Sequence, residues 1–487
     1  MSNEEKAIPS ETLPLIKPWG GDVPELCHSH LLSAGQPLWP ERPQEKVEVV
    51  VVGAGLSGLT AAYHLRDRQV VVLEAEGHPG GVCLPGSYRG LPYPAGSAYF
   101  YYPWTEEWRR WYQDLGLDAD AALVEGPASA LFYQGEWITD CFSEAGLKAL
   151  PFGPAVRDKL LHFAANLVTW EEEWEPLGAE TLTRPELDRY SLRAFLEEVQ
   201  GLPPEVTRLF SPYCSSCLGA GPEAVSAWAA LYFLMSEFSP TTRTAAFPEG
   251  NARLIRALAQ ALPGKLRLKQ VVLGVRPAGK AVRLLVQDAG EKEPYCLETE
   301  VVVLAVGKFA ARKLLSPEAG WTPQDFEIFR YSSYVVAALC GSLNLAAPGY
   351  ENWVVDKGVF SDFILTPRRA QPGEPQVMVV FAPQPFPMGR QTLLASRPQD
   401  KGEEILAAVA SLFPALKKEV QELHLYRFGH AQVVPYPGFL TRLKERFQAR
   451  QGRIILSNSD SEGLPCIEAA IVQGKKAARQ VREFLKD

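Results

Sequence analysis

The sequence predicts an α/β fold organised on a buried parallel sheet. Three observations carry this: the β-branched run Val47–Val52, the turn Gly53-Ala54-Gly55-Leu56-Ser57-Gly58 that leads from it into a helix, and a second run, Val70–Leu73, closed by the acid Glu74. A strand apolar at nearly every position is covered on both faces, as strands of parallel sheets are. Gly53 permits the tight turn, Gly55 removes the Cβ that would block a pyrophosphate, and Gly58 lets the helix pack closely on the strand. Free N–H groups at the helix start then face an anion. Glu74 follows Gly53 by the roughly 20 residues expected of a carboxylate that accepts hydrogen bonds from ribose hydroxyls. An acid there disfavours a 2′-phosphate. Strand, glycines, helix, strand and acid in this order read as a Rossmann-type dinucleotide-binding unit rather than as an ordinary glycine-rich turn.

At 487 residues the chain is longer than one hydrophobic core usually serves, so two domains are expected. A net charge of −8 argues against nucleic acid or an anionic membrane as the main partner, since both favour a basic face. The opening MSNEEKAIPSETLPLIKPW carries acids and prolines where a signal peptide needs a basic start and an apolar run, and a cytoplasmic protein is expected. Residues 1–45, rich in Pro, Ser and Glu, form an extension that is either disordered or laid across the folded body; Trp19, Leu31, Leu32 and Trp39 favour partial docking. The longest apolar run, Ala224–Met235, is about half of the ~20 residues that span a bilayer and reads as a buried helix, which leaves only a peripheral membrane contact open. Cys214-Ser215-Ser216-Cys217 has redox spacing without the βα context of a redox motif, so ordinary thiols are expected. Cys27-His28-Ser29-His30 is followed by no second ligand pair of zinc-like spacing, and no metal site is expected.

Beyond Glu74 and Ala75 comes Gly77-His78-Pro79-Gly80-Gly81-Val82, and here the chain resembles the flavin-dependent amine oxidase superfamily, which includes monoamine oxidases, protoporphyrinogen oxidase and the carotenoid desaturases. In that family an acid followed by a Gly-Gly pair marks FAD, and Gly80 and Gly81 match. His78 and Val82 stand where the family usually has arginine, so two cationic contacts are missing or supplied from elsewhere. Leu91-Pro92-Tyr93-Pro94-Ala95-Gly96-Ser97 resembles the family's stretch near the flavin ring, with Gly96 and Ser97 as the implied contacts. Phe247-Pro248-Glu249-Gly250-Asn251 resembles its proline-x-glycine-glycine stretch, Asn251 replacing the second glycine, and Val272 matches its main-chain contact to adenine. Gly452–Asp460 resembles the terminal strand and phosphate-side turn, with Ser459 and Asp460 as contacts and Asn458 in place of the usual glycine. The following helix, through Ile467 and Ala470, is implied to reach the flavin pyrimidine edge.

The resemblance implies an α/β protein: a Rossmann-type FAD-binding domain assembled from three chain segments, 46–98, 245–315 and 443–487, with a mixed α+β substrate cap domain from 99–244 and 316–442. Residues 113–244 show mostly helical periodicity, Leu266–Val275 and Gln376–Phe381 read as strands, and Ala252–Leu262 reads as an amphipathic helix. FAD is expected to be non-covalent, because the family's cysteinyl linkage lies in the last cap segment and this chain has no cysteine between Cys340 and Cys466; His430 is the residue to examine otherwise. The run Tyr99–Trp104, followed by Trp108, Trp111 and Tyr112, is either core packing, since Trp104, Trp108 and Trp111 recur at helical spacing, or an aromatic wall over the flavin formed by Tyr99, Tyr101, Tyr102 and Trp104.

An isoalloxazine ring does its own redox chemistry, so few catalytic side chains are required and none is assigned. Gly307 stands alone, with no second strand, glycine turn and acid unit for a nicotinamide cofactor. Amine-directed members often carry a lysine in the cap strand, and Tyr331–Leu339 contains none. The expected reaction is therefore oxidation or desaturation of an apolar or aromatic small molecule, its hydride passing to flavin N5. The alternatives are an amine or amino-acid oxidase, a redox-neutral flavin isomerase or mutase, and a non-enzymatic carrier of the GDP-dissociation-inhibitor type.

Overall fold

In the computed structural model, residues 14–23, 39–102, 105–288, 290, 293–447 and 452–486 are described. Trp104, Leu31, Leu32 and the run Cys27–His30 lie outside them. The chain has a mixed α/β fold built around two large sheets.

The seven-stranded sheet begins with the predicted unit. Glu45–Val52 lies between Val70–Leu73 and Tyr295–Leu304, parallel to both. Leu266–Arg267 extends one edge parallel to Val70–Leu73, and Ile454–Leu456 runs parallel to the end of Tyr295–Leu304. Ala281–Asp288 and Gln270–Ala278 complete the sheet as an antiparallel meander. The continuous β-branched sequence follows from burial on both faces. Val49 and Val51 pack beneath the helices Leu56–His64, Ala252–Gln260 and Ile467–Phe484, while Val50 and Val52 pack against the meander. Each such valine contributes roughly 1.5–3 kcal/mol by leaving water. The strand expected over Leu266–Val275 is interrupted, because Lys269 takes a positive φ of 59° and its N–H bonds Glu76 O at 3.0 Å.

The nine-stranded sheet is centred on Tyr331–Gly341, antiparallel to both Val420–Val433 and Gln376–Pro383. Asp362–Thr366, Glu351–Val354 and the hairpin Ser129–Tyr133/Glu136–Thr139 extend it on one side. That hairpin falls in a stretch expected to be helical. Its two-residue turn places Gln134 and Gly135 at φ 51° and 91°, the paired positive values of a type I′ connection. On the other side, residues of the N-terminal extension dock as short parallel strands, Leu15–Ile16 on Glu422–Leu423 and Gly20–Gly21 on Tyr426–Arg427. Trp19 lies under the Arg427 guanidinium at 5.7 Å and Trp39 under that of Arg276 at 4.1 Å, so the docking expected of these tryptophans is present.

Helices Pro154–Glu173 and Ala227–Phe238 pack together beside this sheet in the largest apolar cluster. No helix among the described residues is long and apolar enough to cross a membrane. The hairpin Pro85–Tyr88/Leu91–Pro94 packs on the nine-stranded sheet, its Tyr88 and Tyr93 against Tyr334, Val336, Ile364 and Phe428. The buried Tyr93 hydroxyl bonds both His424 Nδ1, at 2.6 Å, and the Tyr426 hydroxyl, at 2.9 Å.

Gly58 is the tightest point of the first helix, where an added Cβ would stand 1.9 Å from Gly53 O. Gly58→Ala is expected to lower stability by roughly 1–3 kcal/mol, the usual cost of overpacking. Urea denaturation measures this, and an unchanged midpoint would show that the helix can move away without loss.

Candidate active site

The site is built from the glycine turn outward. Gly53 has φ 101° and donates its N–H to Leu73 O at 2.8 Å, so the turn is pinned to the second strand. Helix Leu56–His64 starts without a side-chain cap and without an acid in its first turn, and a Cβ built on Gly55 meets nothing within 4 Å. Its first N–H groups and positive dipole end therefore remain available to a negatively charged ligand. The Glu74 carboxylate accepts Ala54 N–H at 2.7 Å and Glu76 N–H at 3.0 Å, and partial burial raises its pKa. Each of its oxygens keeps a lone pair for a further donor. Gly80 N–H bonds Ala54 O at 3.0 Å, which lays Ala75–Val82 alongside the turn, and Gln270 N–H bonds Glu74 O at 2.8 Å, which brings the Val272 strand to the same end.

Other segments close on this cradle. A Cβ on Gly96 would stand 1.9 Å from Val82 O, and Ser97 N–H bonds that oxygen at 3.0 Å. Asn251, the residue in place of the second glycine, donates its amide to Ser97 Oγ at 2.8 Å and to Tyr99 O at 2.7 Å, while its Oδ1 is buried without a partner among the described residues. Ser57 and Ser457 share a hydroxyl contact of 2.9 Å. Asp460, beside Ser459 in a short turn of helix, accepts the Lys308 N–H at 3.0 Å and the Tyr331 hydroxyl. Ile467 and Ala470 occupy the first turn of the last long helix, where Glu468 accepts Tyr101 N–H at 3.2 Å.

Lys308 was not singled out in the sequence. It is fully buried, with Nζ donating to Asn458 Oδ1 and, at 2.8 Å, to Ser461 Oγ. Burial lowers its pKa to about 8 against the opposing pull of Asp460. Asn458, which departs from the expected glycine, thus serves as an acceptor for a cation that follows Gly307. His430 stacks on Phe309 with ring centroids 3.9 Å apart and meets Tyr331 edge-on.

Across from the cradle lies a second group that sequence reasoning missed. Glu351 and Asp362 are buried and Glu237 half-buried, grouped with the buried Tyr213 and the half-buried Tyr99, Tyr101 and Cys217. Tyr101 and Tyr213 donate to Glu237 Oε1 at 3.0 and 3.3 Å, Ser361 donates to Asp362 Oδ1 at 2.5 Å, and the Tyr99 hydroxyl lies 3.9 Å from Cys217 Sγ. Glu351 is 1% exposed, and its Oε2 has no hydrogen-bond partner within normal distance among the described residues. Among the described residues none of these acids has an ion pair. Desolvation raises Glu237 from 4.5 to about 7 and Asp362 from 3.8 to about 7, and it raises Glu351 well above its ordinary value with the charges of the other two adding to the effect. Of the expected aromatic wall, Tyr99 and Tyr101 face this cluster. Tyr102 does not, since its hydroxyl bonds Asp120 near the surface and its ring takes Arg109 at 5.5 Å.

Cys214 and Cys217 are unpaired on helix Ser211–Leu218, and burial pushes both thiols far above their ordinary range. Few thiolates form under such conditions, which favours ordinary thiols. Among the described residues no group of three or more His, Cys, Asp or Glu side chains is arranged to hold a metal ion.

Residues 56–482 match the sequence model of the flavin containing amine oxidoreductase family. The chain belongs to that family and is a flavin-dependent oxidoreductase. Its fold is similar to wild-type putrescine oxidase bound to putrescine, at 17% identity and a TM-score of 0.71 over 90% of this chain and 99% of the other. It is also similar to cyclohexylamine oxidase from Brevibacterium oxydans, at 18% identity and 0.66 over 91% and 100%. A fatty acid isomerase from P. acnes that produces CLA matches at 14% identity and 0.67 over 90% and 98%.

The acid cluster has a thermodynamic signature. Its native pKa values are raised, so the folded state holds protons that the unfolded chain releases above about pH 4.5, and the cluster's contribution to stability falls as pH rises through about 7. His64, lowered to about 4, acts in the opposite direction over part of this range. The comparison is therefore between wild type and Glu237→Gln, both without donor. Thermal melts should show the Gln variant gaining on wild type as pH rises from about 5 to about 8, and a gap that does not change with pH would refute shared titration.

Proposed function

We propose that this chain holds one FAD non-covalently and oxidises a small donor that carries a basic nitrogen. The FAD reading is supported by the open Gly55 cradle, by the free lone pairs of Glu74 and by the convergence of segments 46–98, 245–315 and 443–487 on one sheet. Those segments are read as the FAD-binding domain, and 99–244 with 316–442 as the substrate cap. Gly53, Ala54, Ser57 and Gly58 would face the phosphates, Glu74, Ala75 and Val272 the adenosine, and Gly80–Val82, Gly96, Ser97, Ser459, Asp460, Ile467 and Ala470 the flavin half. The flavin, once bound, accepts a hydride equivalent from the donor.

The observation that carries the donor class is the group Glu237, Glu351 and Asp362, two buried carboxyl groups and one half-buried, beside Tyr99 and Tyr101, with no cation paired to them among the described residues. Like charges confined together resist ionisation, and a bound cation removes that cost. An ammonium group would meet Glu351 Oε2, and the Tyr99 and Tyr101 rings would flank the adjoining carbon chain. A proton leaving the nitrogen can rest on Glu237 or Asp362, whose pKa values near 7 suit them to hold and release it.

The apolar or aromatic donor expected from the sequence is the second reading. It is favoured by the lysine-free strand Tyr331–Gly341 and by the aromatic set Tyr99, Tyr101 and Tyr350, and it requires the three acids to stay protonated. A cytoplasmic setting belongs to the same proposal.

Anaerobic mixing with separate panels of mono- and diamines, polyenes and reduced tetrapyrroles separates the readings. Amines alone should bleach the flavin, with tighter binding as the cluster ionises above pH 7 and with a loss of ~2–5 kcal/mol of binding in Glu237→Gln. Bleaching by an apolar donor while every amine fails would remove the nitrogen. Acid precipitation should leave the pellet colourless, and a yellow pellet would contradict non-covalent attachment.

A further inference from the structure

A second candidate site lies at the C-terminal end of helix Leu56–His64, away from the glycine turn at its start. A cavity of about 410 Å³ opens where helix Leu56–His64 ends against the last turns of Ile467–Phe484, lined by His64, Arg66, Lys475, Arg479, Arg482 and Lys486, with Glu483 its one acid. A neighbouring hollow of about 630 Å³ shares His64, Lys475 and Arg479 and adds the Trp111 ring together with Arg110 and three acids. The glycine turn sits at the opposite end of the first helix, nine residues and about 13 Å away, so this face is separate from the cofactor cradle.

The charge arrangement is unusual for this chain, whose net charge is −8. Five permanent cations meet one acid. Two of the five are paired, Arg482 with Asp67 through both guanidinium nitrogens and Lys475 with Glu107 at 2.9 Å; the Lys475 pair, to an exposed acid, is weak in water. Arg66 donates to Tyr63 O and keeps its full charge. Arg479 and Lys486 are exposed, and neither has an ion pair among the described residues. The field is registered by His64, whose pKa is lowered to about 4 by burial and by Lys475, Arg66 and Arg482. Like charges held together on a fold destabilise it slightly, and a multivalent anion reverses that cost. Guanidinium and ammonium donors converging on a cavity of this size suit phosphate oxygens, and the Trp111 hollow leaves room for an attached ring.

We propose that this cavity binds a phosphate-bearing ligand, distinct from the cofactor, through Arg479, Lys486 and Lys475. The shared chemistry is the phosphate, whether on a free nucleotide-like molecule or on a lipid headgroup. The test uses the flavin-loaded protein, so that the dinucleotide site is already filled. Calorimetric titration with tripolyphosphate and with ATP should show one site per chain that weakens with added salt. In the double variant Arg479→Glu/Lys486→Glu, both positions being exposed, Kd should rise at least about tenfold while the flavin spectrum and melting temperature stay unchanged. Sedimentation with phosphatidylglycerol vesicles is the second arm. Binding of the soluble anions alone assigns a soluble ligand, and vesicle binding lost in the double variant assigns a headgroup. No binding in either arm, or binding undiminished in the variant, overturns the proposal. Lys475→Ala gives an independent check, with a smaller rise in Kd expected and an unchanged Kd counting against the site.

Discussion

Backbone meets backbone at one turn, and the rest of the molecule is arranged around that contact. A Cβ on Gly58 would strike Gly53 O at 1.9 Å, one on Gly53 would lie 2.7 Å from Ala305 O, and one on Gly474 would lie 2.5 Å from Ser57 O. Two stretches of chain far away in sequence, around Ala305 and Gly474, therefore come into backbone contact with residues 53–58. The consequence is electrostatic as much as steric. Packing this close leaves the helix start uncapped, and uncapped N–H groups are an anion site. Glu74 then turns toward the same end because Ala54 N–H holds its carboxylate.

Asn251 and Glu468 carry that rigidity toward the acid cluster. One ties Ser97 to Tyr99, the other holds Tyr101 by its backbone, and the two tyrosines emerge from a fixed main chain into the group formed by Glu237, Glu351 and Asp362. The acids come from a helix and two strands of the other half of the molecule. The protein thus sets a positively polarised cradle and a group of carboxyl groups that have no counterion among the described residues. Both poles are costly to leave empty, and their placement suits a negatively charged cofactor and a positively charged donor.

The parallel sheet was legible because its strands carry nearly continuous apolar runs, a signal that survives without context: Val70–Leu73 is a strand with the predicted limits, and Ala252–Gln260 falls two residues short of the predicted helix. The acid cluster was not legible. Glu237 is the lone charge in AWAALYFLMSEF, and Glu351 and Asp362 open short strands more than a hundred residues later. Nothing local distinguishes such an acid from one that points to water, since its meaning comes only from the pairing of distant strands. A single acid in an otherwise apolar helix was the available hint. Lys308 was hidden in the same way, as one cation after Gly307 whose acceptors Asn458 and Ser461 arrive from the last segment of the chain. The hairpin Ser129–Thr139 carried a readable signal in Gln134-Gly135, which the helical periodicity around it obscured.

The central claim is that Glu74 and the glycine turn together read a dinucleotide with a flavin at its other end. Calorimetric titration of flavin-free protein with FAD and, separately, with FMN tests it most directly. FMN offers the ring and one phosphate but no adenosine for Glu74 to hold. The account predicts one tightly bound FAD per chain and weak or no binding of FMN, with the preference collapsing in Glu74→Ala as hydrogen bonds to a charged acceptor worth roughly 1.5–3 kcal/mol are lost. Equal affinity for FAD and FMN, or an FAD affinity indifferent to Glu74→Ala, would contradict it.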